Sequence, residues 1–183
     1  NSKYSDFSST FKGDTLLFAS ARPRIIANQI YQRTAQPFTN LYYTVQQADG
    51  SYSKAELYSK NTFSIFHEAS PVFTQDGNTM YYTQNEVKPT NERRVVNGRY
   101  KIYKSVKENG KWVNKGVQDI FAKDSARVAH PALSADGKTL YFASDARGTF
   151  GQSDLFKVSI NEDGSYTAPE NLGNTINTEG RES

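Results

Sequence analysis

Three stretches of this chain repeat one pattern, and that repeat restricts the fold more than any other feature. "FSSTFKGDTLLFAS" begins at Phe7, "ASPVFTQDGNTMYYTQN" at Ala69 and "HPALSADGKTLYFASD" at His130. Phe11, Phe73 and Leu133 align, as do Thr15-Leu16, Thr79-Met80 and Thr139-Leu140, and then Phe18, Tyr82 and Phe142. The first copy is two residues shorter at its turn and reads Gly13-Asp14 where the others read Asp76-Gly77 and Asp136-Gly137. A second pattern follows each copy. "NLYYTVQQADGSY", "KIYKSVKENGKW" and "DLFKVSINEDGSY" end at Tyr52, Trp112 and Tyr166, each two residues after Gly50, Gly110 or Gly164.

Each unit therefore reads as four short strands, A to D, over about 60 residues. Asp-Gly and Asn-Gly pairs favour tight hairpins because Gly tolerates positive φ. Alternation places Leu16/Phe18, Met80/Tyr82 and Leu140/Phe142 on one face of their sheets. The 13% aromatic content supports strands over helices. A threefold repeat of four antiparallel strands predicts an all-β chain, a segment of three β-propeller blades. The expected boundaries are 1–67, 68–128 and 129–181, with 182–183 starting a next blade. Three blades do not close a ring, which takes about 4–8, so a larger propeller is expected. The chain starts at Asn1 without a signal segment and reads as a piece of a processed or longer protein.

The repeats resemble the WD40-like repeat called PD40. The likeness spans all three units and is strongest over 129–183, with Pro-x-x-Ser-x-Asp-Gly-x-x-Leu-x-Phe, then Asp-Leu-Phe, then Pro-Glu-Asn-Leu-Gly and Ile-Asn-Thr. The last combination, and "NSKYSDFSSTFKGDTLLFASAR" at the start, are similar to propellers of OmpA-family lipoproteins of Bacteroidota, including PorE-like proteins of the type IX secretion system. Unit 1 departs most, lacking the Pro and inverting the Asp-Gly. The resemblance implies a non-enzymatic periplasmic scaffold associated with the outer membrane and lipid-anchored outside this chain. It implies protein partners, of the PorP/SprF type or other secretion or gliding components. Peptidoglycan would be bound only by a domain outside this chain.

Catalytic and metal motifs fail on their spacing. His67-Glu68-Ala69-Ser70-Pro71 starts like a zinc-protease helix, but Pro71 stands in the second His position. Gly151-Gln152-Ser153-Asp154 lacks the second Gly of a nucleophile elbow. Asn161-Glu162-Asp163-Gly164 lacks the spacing and final Glu of a calcium loop. With two histidines and no cysteine, no metal or cofactor is expected, and disulfides are excluded. No apolar run reaches the roughly 18 residues of a membrane helix. The net charge of +3 does not call for nucleic acid. Asp6, Glu68 and Glu182 stand near the starts of successive strands A, to line a channel or to tie neighbouring blades. His130 aligns with Ser70, not with His67.

One asymmetry remains. In an up-and-down blade the A–B and C–D turns share one face of the disc, and the B–C loops and D–A crossovers share the other. All nine arginines fall in the second set or at strand ends beside it. Arg22, Arg24, Arg33, Arg93, Arg94, Arg99 and Arg147 belong to the B–C loops and are the candidate partner-binding residues, since Arg suits bidentate contacts. Arg127 and Arg181 lie in crossovers. The turn face carries Asp14, Asp49, Asp76, Asp136, Glu162 and Asp163. The first loop, "RPRIIANQIYQRTAQPF", reads as either a short helix or a contact segment, and the loop at Ala146–Ser153 is its short counterpart in unit 3. Two other functions fit a propeller: the non-catalytic part of a prolyl-oligopeptidase-like peptidase, and a glycan-binding disc.

Overall fold

A computed structural model describes residues 2–23, 30–31, 34–58, 67–88, 95–121 and 126–183. The described residues contain strands, turns and no helix. Unit 1 forms β1 (Asp6–Lys12), β2 (Thr15–Ser20), β5 (Asn40–Val45) and β6 (Glu56–Leu57), with a small hairpin, β3 (Ile30–Tyr31) and β4 (Gln36–Pro37), in its B–C loop. Unit 2 forms β7 (Glu68–Phe73), β8 (Thr79–Lys88), β9 (Val95–Glu108) and β10 (Lys111–Val117). Unit 3 forms β11 (Val128–Leu133), β12 (Thr139–Ser144), β13 (Asp154–Ser159) and β14 (Glu170–Asn171). Each set makes a four-stranded antiparallel sheet in chain order, so the chain is a segment of three propeller blades.

The repeat survives as register. Phe11 pairs with Leu16, Phe73 with Met80 and Leu133 with Leu140. The blade 2 and 3 turns are closed by Asp side chains. Oδ1 of Asp76 accepts from the Asn78 N–H at 3.0 Å and the Thr74 hydroxyl at 2.6 Å, and Asp136 does the same with Lys138 and Ser134. In blade 1, Lys12 pairs with Thr15 directly, and Gly13 takes φ 58° in a two-residue turn. The shortened first copy thus keeps the strand register and loses only the wider turn.

Strand D is continuous only in blade 2. In blades 1 and 3, Tyr52 and Tyr166 form isolated bridges to Gln46 and Ile160, and the strand resumes later as two residues. The reason is local. Ser53 Oγ takes the Val45 N–H and Thr167 Oγ1 takes the Ser159 N–H, so side-chain hydroxyls substitute for ladder carbonyls.

Blades pack face to face. Met80, Tyr82, Phe73 and Trp112 on one face of blade 2 meet Leu41 and Tyr58 of blade 1. The other face of blade 2, with Tyr81 and Ile102, meets Leu140, Phe142, Phe156 and Val158 of blade 3. Met80, Tyr82, Ile102 and Leu140 are fully buried in these two seams. The inner strands β1, β7 and β11 lie side by side around the axis.

Each inner strand carries a β-bulge at the same place. The register slips between Phe7 and Thr10, Ala69 and Val72, and Ala129 and Ala132. Ser8, Ser70 and His130 sit there at φ 53°, 51° and 55°, the left-handed region that costs a non-Gly residue about 1–2 kcal/mol. Pro71 and Pro131 follow two of these residues, where the broken ladder needs no N–H.

Candidate functional site

The loop face is built by the B–C loops and the crossovers. Blade 2 contributes an extended hairpin there: β8 and β9 stay paired out to Val87 with Val96 and Lys88 with Val95. Arg99 consequently lies on β9, half-buried, and not in a loop. Arg24, Arg33, Arg93 and Arg94 lie outside the described residues. Arg147 is exposed in the blade 3 loop. Arg22 points back onto its own blade. It pairs with Asp6 at 3.2 Å and stacks over the Phe18 and Tyr42 rings, with centroids at 5.1 and 5.9 Å. Its guanidinium pins the first loop to the scaffold.

The acidic residues at the starts of strands A each fasten a junction. Asp6 holds Arg22. Glu68 is buried, and its N–H donates to Thr39 O at 2.9 Å. Glu182 repeats that bond one blade later, its N–H donating to Ser153 O at 3.0 Å, while its carboxylate accepts from the Thr178 N–H and hydroxyl. Thr39 and Ser153 directly precede the equivalent strands β5 and β13, so Glu182 stands to blade 3 as Glu68 stands to blade 1. Ser153 Oγ donates to Glu182 O at 2.8 Å, which places this serine in the same junction. Asn161–Gly164 is a hairpin turn closed by Asp163 on the Ser165 N–H. Among the described residues no three His, Cys, Asp or Glu side chains cluster as a metal site.

The sequence gives no sign that the two histidines share a cavity, but they do. A pocket of about 310 Å³ opens at the loop-face end of the inner strands and draws on all three blades. Phe7 and Tyr31 come from blade 1, His67, Thr83 and Tyr100 from blade 2, and Ala129 and His130 from blade 3. His67 is caged by Tyr31 and Phe38, with ring centroids at 4.6 and 4.7 Å. Its Nδ1 accepts the Thr39 N–H at 3.2 Å, which leaves the ring proton on Nε2. The described part of the first loop forms the β3–β4 hairpin and lines this cavity through Tyr31, Thr34, Gln36 and Pro37, while residues 24–29 and 32–33 lie outside the described residues.

His130 reaches the axis through its bulge. Its N–H donates to Thr83 Oγ1 at 2.9 Å, and its Nδ1 lies 3.1 Å from Ser70 Oγ, which in turn donates to Ser8 Oγ at 3.2 Å. The three bulge residues form one hydrogen-bonded chain. Burial lowers the pKa of both imidazoles, which keeps them neutral at neutral pH.

No family model matches the chain, and no curated protein sequence does either. Solved structures do. A protein from Lactobacillus plantarum aligns over 97% of this chain and 43% of its own length, at 17% identity and TM-score 0.53. A puromycin-hydrolyzing peptidase of Mycobacterium tuberculosis aligns over 93% of this chain and 32% of its own, at 13% identity and TM-score 0.52. These likenesses concern the fold, and the chain spans less than half of either protein. Sheets, register and structural likeness together define the class: a β-propeller segment.

Proposed function

We propose that this chain is part of a non-enzymatic, protein-binding propeller of the periplasm. In this reading the whole protein is an outer-membrane-associated member of the OmpA family, held by a lipid anchor outside these residues and serving type IX secretion or gliding. The single observation that carries the interaction reading is the composition of the loop face. Ile30, Phe150 and Ile176 stand about half exposed in its loops and crossover, at 52%, 53% and 52%, and Arg147 of the same face is exposed too. Exposed apolar groups ringed by polar ones are the make-up of an interface core with its rim. On the opposite face the side chains of Asp49, Asp76, Asp136 and Asp163 are spent on the backbone N–H groups of their own turns. Localisation and secretion partner rest on the PD40 resemblance alone.

The test uses the full-length protein. Phe150→Ser with Arg147→Glu is expected to abolish co-purification of a PorP/SprF-type outer-membrane protein while far-UV circular dichroism is unchanged. Undiminished co-purification overturns the assignment of this face. A second reading is favoured by the likeness to the M. tuberculosis peptidase: the propeller part of a peptidase with its hydrolase domain elsewhere. Covalent labelling of a serine in the full-length protein by a fluorophosphonate supports that reading, and an unlabelled protein excludes it.

A further inference from the structure

We propose that the axial cavity is a socket for one uncharged aromatic side chain projecting from a protein partner. The inference deepens the protein-binding reading above and rests on it.

The walls choose the occupant. The described lining contains no Asp, Glu, Lys or Arg, and partial desolvation holds both imidazoles below their ordinary pKa, which favours their neutral form. An ion placed there would lose its hydration without a counter-charge, at a cost of several kcal/mol. Phe7 and Tyr100, which line the cavity, are 46% and 37% exposed. With Tyr31 they offer ring faces and edges to an incoming group.

Three of the polar wall groups are committed to the protein. Thr39 Oγ1 donates to Glu68 O, Thr83 Oγ1 accepts from His130 N–H, and Gln36 Oε1 accepts from Ser5 N–H at 3.1 Å. A sugar would need several of the remaining polar groups to meet its hydroxyls at once. An aromatic ring needs at most one. The volume, about 310 Å³, is at the lower end of small-ligand pockets and suits a single large side chain with its backbone at the mouth. The three bulges add preorganisation. They lock Ser8, Ser70 and His130 in one hydrogen-bonded chain beside the lining residues Phe7, Ala69 and Ala129, which fixes this part of the wall before binding.

The chain has only two histidines, and both line the socket, so their imidazole proton resonances report occupancy without labelling. N-acetyl-phenylalaninamide and N-acetyl-tyrosinamide are titrated into the 183-residue chain, with N-acetyl-glycinamide and chitotriose as comparisons. Both aromatic amides are expected to shift both signals saturably, with Kd of about 1 mM, and the comparisons to leave them in place. Ala129→Leu, which fills the cavity, and Tyr100→Ala, a change at an exposed ring, are each expected to weaken binding at least fivefold with Trp112 emission unchanged. Absence of a shift with both aromatic amides, or an undiminished shift in both variants, overturns the socket. A response to chitotriose alone overturns the side-chain occupant in favour of a glycan. Aromatic binding in a full-length protein that retains no protein partner supports the socket and removes the interaction reading. A partner retained equally by wild type and Tyr100→Ala does the reverse.

Discussion

Blades 1 and 2 carry the same residues on the same face and bury them differently. On blade 2, Phe73, Met80, Tyr82 and Trp112 are packed against blade 1. On blade 1 the equivalent residues are Phe11, Leu16, Phe18 and Tyr52, with Phe11 58% and Tyr52 46% exposed. Leu16, Phe18 and Tyr52 line an open pocket to which only blade 1 contributes. The repeat therefore encodes half of a seam, and a residue acquires its energetic weight only from the sheet laid against it. The same holds at the other end, where Tyr141 of blade 3 is 36% exposed and its equivalent Tyr81, covered by blade 3, is 2% exposed. Both open faces have the composition to receive further blades.

This comparison can be broken most directly at the paired aromatics. Trp112→Ala is expected to destabilise the 183-residue chain by about 3–5 kcal/mol, because it empties a packed seam. Tyr52→Ala is expected to cost less than about 1 kcal/mol in the same chain. Urea unfolding followed by circular dichroism measures both, and equal losses would mean that blade 1 is covered in solution. A smaller effect is expected at Lys12, which crosses the same seam. Its Nζ donates to Gly77 O at 2.8 Å and lies over the rings of Phe73 and Trp112, and burial lowers its pKa. Lys12→Met, which keeps the packing stem and removes the charge, is expected to cost about 1 kcal/mol. An unchanged urea midpoint would show that this contact adds nothing to the seam.

The axis responds to pH, and the sign follows from burial. The folded-state pKa of His67 and His130 lies below the ordinary value of about 6.5. Above 6.5 both states are neutral and stability is full. As pH falls below 6.5 the unfolded chain takes up protons first, so stability declines until the folded imidazoles also titrate. The urea midpoint is expected to drop between pH 7.5 and pH 5, and to drop less in His130→Asn. A midpoint that rises over that interval contradicts a lowered folded-state pKa at these rings. The smallest effect is expected from Phe11→Lys, which is predicted to improve solubility with little change in melting temperature, since the ring covers nothing in this chain.

Much of this architecture was legible because it is local. Asp76-Gly77 and Asp136-Gly137 announce hairpins, and the alternation of Met80/Tyr82 and Leu140/Phe142 announces the buried face. The axis was not legible, because it is made by contacts between blades. Nothing near Ser8, Ser70 or His130 marks positive φ, since no Gly stands at any of the three positions. His67 and His130 fall at unmatched places in the repeat and still meet, one from a crossover and one from a bulge. The arginine pattern did not show that Arg22 folds back onto Asp6, Phe18 and Tyr42, because charge alone says nothing of where a side chain packs.

The bulges also divide each inner strand into two reading frames. From Phe7 to Thr10 the strand advances three residues while its partner advances two, from Ala19 back to Leu17, and the other blades match this. Side-chain alternation restarts at that point. The turn half of the strand stays in phase with the seams, and the mouth half is set in its own phase. The mouth half nevertheless carries ties between blades, His130 N–H to Thr83 and Glu68 N–H to Thr39, so a substitution there acts on blade stacking as well as on the axis, and Ser, Ser and His at one repeated position are three settings of the same dial.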